Sequence, residues 1–277
     1  MWTDRPEVTP EDAARIHETR NGAQEPGAST GLEYLDAYIA AIRHQAQCDD
    51  FSRRGLTLLG RSGIPEPSRV CYGRPCRSSS ERDSVHGLCQ RYAWAVPNVA
   101  ALDAIRDHSP GGVVEIGAGG GYWAMELQRR GVDVLPFDPD PPGLSAEGNG
   151  WHHGYAWTAV HEGDHTHAGL HPERTLFLCW PSYDDRWAAE AVQLYHAAGG
   201  RTVIYVGEGQ GGCTGDDLLH TLLNGERPYC WHGGDEDPCA RCRTANAATQ
   251  LYLPKLDLAI PRWSGIHDRL HVYERAT

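Results

Sequence analysis

The spacing of apolar positions changes along the chain, and the change falls near Gly111. Before it the spacing is helical. Leu32, Leu35, Ile39 and Ile42 form one stripe, which predicts a helix starting after Ser29 or Thr30. Glu33 stands at capping-box spacing from Thr30. Residues 55 to 80 are rich in Gly, Pro, Ser and Arg and read as a loop. A second helix is expected from Ser80 to Tyr92 and a third from Asn98 to Asp107, with Asn98 as N-cap after Pro97. After Gly111 short apolar runs alternate with helical patterns. Val113 to Ile116, Val132 to Phe137, Thr175 to Cys179, Thr202 to Val206 and Leu270 to Tyr273 read as strands. Helices are expected over Tyr122 to Arg130, from an Asp184 or Asp185 cap to His196, and from a Thr214 cap to a stop before Gly225. Strands alternating with helices predict an α/β fold whose parallel sheet is covered on both faces.

Three stretches follow from this reading. Residues 1–28 are a polar tail, 29–96 an N-terminal helical cap, and 97–277 the α/β domain, with a Cys-rich insertion at 226–248. The first residues contain no apolar core of the kind a signal peptide needs. No apolar run approaches the roughly 20 residues that cross a bilayer. A cytoplasmic protein with no membrane partner is the expectation.

Composition narrows the function classes. Of 277 residues 40% are hydrophobic, enough for a sizeable core, which excludes a wholly disordered chain. The formal net charge of −12 comes without a basic tract. General nucleic-acid binding relies on phosphate contacts and is therefore not expected. Lys255 is the one lysine, so Schiff-base chemistry is excluded everywhere else. Nine cysteines, an odd number without a secretion signal, argue against a complete disulfide framework.

Glu115-Ile116-Gly117-Ala118-Gly119-Gly120-Gly121 carries the strongest chemical signal. It follows a predicted strand and opens a predicted helix, as a ligand-cradling loop does. A dinucleotide fingerprint starting at Gly117 needs a third glycine where Tyr122 stands, which disfavours a nicotinamide enzyme. The spacing present is acid-x-G-x-G-x-G. It resembles motif I of the class I S-adenosylmethionine-dependent methyltransferases, and the chain looks like a little-characterised branch of them. Asp138, 21 residues after Gly117, stands where that family has an acid that holds both ribose hydroxyls. Tyr92 to Asn98, Thr175 to Asp184, Val206 to Thr214 and Trp263 to Asp268 extend the resemblance over roughly residues 90 to 275.

The resemblance implies a Rossmann-like, mostly parallel seven-stranded sheet with helices on both faces. It implies S-adenosylmethionine as cofactor. By position, Glu115, Gly117, Ala118, Gly119, Gly121 and Asp138 would hold that cofactor, with Tyr92, Trp94 and Trp180 as aromatic walls. Aromatic faces attract a sulfonium. Trp180-Pro181-Ser182-Tyr183 occupies the place of the Asn/Asp-Pro-Pro-Tyr motif of amino methyltransferases. An indole cannot accept the hydrogen bond that motif needs. Methylation of an exocyclic base amine is therefore not expected. A small-molecule N, O or C nucleophile is, with Tyr183, Asp184 and Glu208 as the polar groups that orient it. Aminocarboxypropyl transfer, cofactor cyclisation that releases methylthioadenosine, and a non-catalytic cofactor-binding protein are the rival readings. Homodimerisation stays open.

Two further clusters stand out. His152, His153, His161, His165, His167 and His171 crowd one segment read as a surface loop, in which His165-x-His167 suits a strand better than a helix. Cys230-x-His232 followed by Cys239-x-x-Cys242 has zinc-ligand spacing. A structural zinc is one reading, and a disulfide or unliganded thiols are the others. Cys71 and Cys76 offer a different ligand source. His267-Asp268 are adjacent, and neighbours in sequence rarely face each other, so a solvated turn is expected there.

Overall fold

The computed structural model describes residues 29–42, 85–144, 149–227, 230, 239–263 and 265–276. The chain divides into two compact units, Met1–Arg91 and Tyr92–Thr277. In the first, α1 runs over 33–42 and α2 over Val85–Arg91. Leu32, Tyr34, Leu35 and Tyr38 of this unit are buried, as are Leu88 and Cys89. The reciprocal cap of α1 is Asp36 and not Glu33. Its carboxylate accepts from the Thr30 amide at 2.8 Å and the Ser29 hydroxyl at 2.6 Å. Glu33 pairs instead with Arg91 at 3.1 Å.

The second unit opens with α3 (Val99–Asp107), capped by Asn98, whose side chain accepts from the Ala101 amide. Then follow β1 (Val113–Ile116), α4 (Tyr122–Gln128), β2 (Val134–Asp138) and β3 (His161–Glu162). A 3₁₀ turn spans His165–Leu170, so the His165-x-His167 pair lies on a helical turn and not on an extended loop. Asp164 forms a capping box with it, which explains the difference. β4 (Thr175–Cys179), α5 (Trp187–Ala197), β5 (Thr202–Gly207) and α6 (Asp217–Asn224) continue the alternation. α7 (Ala240–Ala247), β6 (Tyr252–Ala259) and β7 (Arg269–Arg275) complete the unit.

Seven strands form one sheet in the order β3-β2-β1-β4-β5-β7-β6. β1 to β5 are parallel, and β7 runs antiparallel to both β5 and β6. This mostly parallel seven-stranded sheet with flanking helices is the class I methyltransferase fold. Its central strands, VVEI, TLFLC and TVIYVG, are almost wholly buried, because helices cover both faces. β6 is the opposite case, an edge strand with half of its residues exposed. Pro254 and Lys255 sit at its irregularity, where they hinder pairing with another strand.

Two helix starts differ from the expected ones. α5 begins at Trp187 with Arg186 in the N-cap position and no side-chain cap, so neither Asp184 nor Asp185 caps it. α6 is capped by Asp216, which accepts from the Leu219 amide at 2.8 Å, while Thr214 turns inward to Glu208 and Tyr205. No helix among the described residues is long and apolar enough to cross a membrane.

Candidate active site

The site lies at the carboxyl ends of β1, β2, β4 and β5, where an open parallel sheet leaves its crevice. The turn after β1 needs its glycines. Gly117, Gly119 and Gly121 have φ of 75°, 55° and 74°, values that side chains disfavour. A Cβ at Gly117 would come 2.8 Å from the Trp187 ring, and one at Gly120 would come 2.5 Å from the Tyr155 carbonyl oxygen. A Cβ at Gly119 would meet nothing within 4 Å. That glycine therefore leaves backbone open to an approaching group. The loop is tied to the end of β2. The amides of Gly117 and Ala118 donate to the Phe137 carbonyl at 2.9 and 3.0 Å. The Gly119 amide donates to Asp138 Oδ2 at 2.8 Å, and Asp140 donates to its Oδ1.

Glu115 is buried near the carboxyl end of β1, and its Oε2 has no hydrogen-bond partner. Burial pushes its carboxyl up to about 8, with the nearby Asp138 charge adding to the shift. A buried acid with an orphaned oxygen is suited to a cationic partner, because pairing offsets the cost of desolvation.

Aromatic rings wall the crevice in two groups. Tyr92 stacks on Trp157 at 5.0 Å, and Trp157 meets Tyr122 edge-on at 5.0 Å. The Trp157 amide donates to the Gly120 carbonyl at 2.9 Å, so this group closes over the glycine loop. Trp94 stacks on Trp180 at 5.1 Å and meets Trp151 edge-on at 5.4 Å. The expected pair Tyr92 and Trp94 thus serves two different walls. Trp157 was not legible as a site residue, because the glycine loop it caps is distant in sequence.

The loop after β4 is held by residues from the far end of the chain. Trp180 adopts φ 55°, a strained value for an indole-bearing residue. Its Nε1 donates to both carboxylate oxygens of Asp268 at 3.0 Å, and its amide donates to the Val206 carbonyl. Burial pushes Asp268 up to about 7 against the lowering effect of the Trp180 bond. His267 faces the other way. Its amide and Nδ1 both meet Glu208 Oε1, at 2.6 and 3.2 Å. Glu208 Oε2 accepts from the Cys213 amide at 2.7 Å. Burial raises the Glu208 carboxyl, but the donors from Cys213 and His267 outweigh it and leave it below the usual range. The His267-Asp268 turn is solvated only in part: His267 is exposed while bonded to the buried Glu208, and Asp268 is buried against the half-buried Trp180. The signal in the sequence was the acid itself, Glu208, in a glycine-rich loop.

Tyr183 is exposed. Asp184 lies on the same loop, and Arg241 of α7 grips it, donating to its carbonyl at 2.9 Å and pairing with its carboxylate. Cys230, Cys239 and Cys242 come together, with sulfurs within 4.8 Å of one another. His232, the fourth residue of the expected zinc set, lies outside the described residues, as do Cys71 and Cys76.

No protein-family model matches the chain, and no curated protein does. Solved structures with a similar course exist. Magnesium protoporphyrin IX methyltransferase from Synechocystis PCC 6803, with bound S-adenosylhomocysteine, is 10% identical, with a TM-score of 0.38 over 85% of this chain and 99% of that one. The 1,6-didemethyltoxoflavin-N1-methyltransferase of Burkholderia thailandensis is 14% identical, with a TM-score of 0.35 over 92% and 94%. An rRNA methylase of Streptococcus thermophilus is 16% identical, with a TM-score of 0.33 over 64% and 96%. The strand order, and not these likenesses, carries the fold assignment.

Proposed function

We propose that the chain is an S-adenosylmethionine-dependent methyltransferase acting on a small planar or cationic acceptor. The observation that carries this reading is the pairing of two acids around one glycine turn. Glu115 offers a buried, unpartnered oxygen at the end of β1, and Asp138 bonds the Gly119 amide from the end of β2. A molecule with an ammonium group and a vicinal diol fits that pair. When bound, the cofactor would supply an electrophilic methyl carbon on a sulfonium, with the neutral thioether as the leaving group once the acceptor bonds that carbon.

The residues of the chain would do the rest. Glu115 would pair with the amino group. Asp138 would accept from the ribose hydroxyls, releasing Gly119. Trp157, Tyr92 and Tyr122 would exclude water from the reacting centre. Trp94 and Trp180 would align a flat acceptor by stacking. Glu208 would act through His267. With Nδ1 held on the carboxylate, Nε2 of this largely exposed imidazole is the atom available to take a proton from the acceptor. Tyr183 would add a hydroxyl at the rim, and Asp184, gripped by Arg241, would fix the loop.

Calorimetric titration with S-adenosylmethionine tests this, with NAD as control. Micromolar binding of S-adenosylmethionine alone is expected. Asp138→Ala, with its melting transition checked, should weaken it at least about tenfold, because charge-assisted bonds to two hydroxyls are lost. No binding by folded wild-type protein would overturn the reading.

A further inference from the structure

We infer that Cys230, Cys239 and Cys242 form a structural zinc site that fixes the loop after β4 through Arg241. Three observations support it, and none depends on the methyltransferase reading.

The first is geometric. All three sulfurs lie within 4.8 Å of one another, and Cys239 and Cys242 Sγ are 3.6 Å apart. Ligands of a tetrahedral zinc thiolate site stand about 3.8 Å apart, for a Zn–S bond of about 2.3 Å. The Cys239 amide also donates to Cys230 Sγ at 3.2 Å. An N–H bond to sulfur neutralises part of a thiolate's charge, as the partners around metal ligands do.

The second is how little apolar packing α7 has of its own. α7 reads ARCRTANA and buries Cys242 and Ala245 alone. Eight residues with two small buried side chains are too few to hold a helix by packing. Cys239 stands at its N-cap without a side-chain capping bond, and Cys242 lies one turn on. Spacing of i, i+3 puts the two sulfurs on one side of that first turn.

The third is what α7 presents. Arg241 sits between Cys239 and Cys242 and points to the other side. It bonds the Asp184 carbonyl and carboxylate, and it stands 4.0 Å from the buried Asp216, which Arg186 also approaches at 3.5 Å. Asp184 in turn has φ 62°, and its amide donates to the Gly215 carbonyl at 2.9 Å. A metal clamp on α7 thus sets the position of the guanidinium that holds a strained residue four positions after Trp180.

The full chain, purified without a histidine tag under reducing conditions, is expected to carry one zinc by plasma mass spectrometry. Cobalt substitution should give thiolate-to-cobalt charge-transfer bands and the visible bands of a tetrahedral centre. Cys239→Ser and Cys242→Ser should lose zinc and bands alike, and Cys213→Ser should keep them. Variants that do not fold are bypassed on wild-type protein. There, mass-mapped alkylation should spare Cys230, Cys239 and Cys242 until a chelator is added. Hydrogen exchange at the Asp184 amide should then rise at least about tenfold. A zinc-free wild-type chain, a Cys239–Cys242 disulfide in the native protein, or three thiols alkylated without chelator would overturn the site. Unchanged exchange at Asp184 after zinc removal would overturn the role of Arg241. All readouts are taken without cofactor, so they stand or fall apart from S-adenosylmethionine binding.

Discussion

Trp180 Nε1 donates to both oxygens of Asp268, across 88 positions of sequence, and this bond holds the residue after β4 in a left-handed conformation. The loop that carries this indole is therefore tied to the entrance of β7. Asp268→Ala removes the acceptor for a donor in a half-buried setting and should cost about 1–3 kcal/mol. Asp268→Asn keeps an oxygen that accepts and should cost less. Urea unfolding of the two variants reads the difference. Equal losses would mean the bond does not hold the loop.

Glu115 should make the ligand-free protein less stable as pH rises. Its ordinary pKa of 4.5 climbs to about 8 on folding. The folded chain thus prefers it protonated. Its contribution is complete below about pH 4.5 and is lost as pH rises through about 8. Glu115→Gln removes that loss and should stabilise the ligand-free chain at pH 8 by on the order of 2–4 kcal/mol. The same variant should bind S-adenosylmethionine at least about tenfold more weakly, because the amide carries no charge. Stability curves at several pH values and calorimetry check both halves.

Glu208 should behave in the opposite sense. Its folded pKa lies below the ordinary value, so its contribution is present above about pH 4.5 and is lost as pH falls through the folded value. Glu208→Ala leaves the amides of Cys213 and His267 without their acceptor and should cost about 2–4 kcal/mol at pH 7. The penalty should shrink in acid. An acid-independent penalty would argue that Glu208 acts by packing alone.

Gly120→Ala tests the cover over the glycine turn. The new methyl would sit 2.5 Å from the Tyr155 carbonyl, a backbone atom that cannot rotate away. The Trp157–Gly120 bond should break, and Tyr92 should lose its stacking partner. The expected result is a loss of about 1–3 kcal/mol and a tryptophan fluorescence shift. Gly209→Ala, with open space around its Cβ, is the matched control.

Much of the core was legible in the sequence because buried parallel strands read as short, mostly apolar runs. VVEI, TLFLC and TVIYVG are such runs. β6 escaped notice because an edge strand with Pro254, Lys255 and Asp257 carries little apolar signal. β3 escaped because two residues, His161 and Glu162, carry none. In the site, Gly117 to Gly121 and Asp138 were readable from spacing. Trp157, and the separation of His267 toward Glu208 from Asp268 toward Trp180, were not. Those relations join segments 37 to 88 residues apart, and only the folded sheet brings them together.

The position of β7 sets an order of events during synthesis. Among the described residues it follows every other strand in sequence, yet it lies between β5 and β6. Until Arg269 to Arg275 have left the ribosome, β5 presents a bare edge and β6 has no neighbour at all. A nascent chain must therefore wait with most of its sheet built and one long edge open, a state prone to association with other chains. The same strand follows directly on Asp268, which bonds Trp180, so the pairing of β7 also brings in the anchor of the loop after β4.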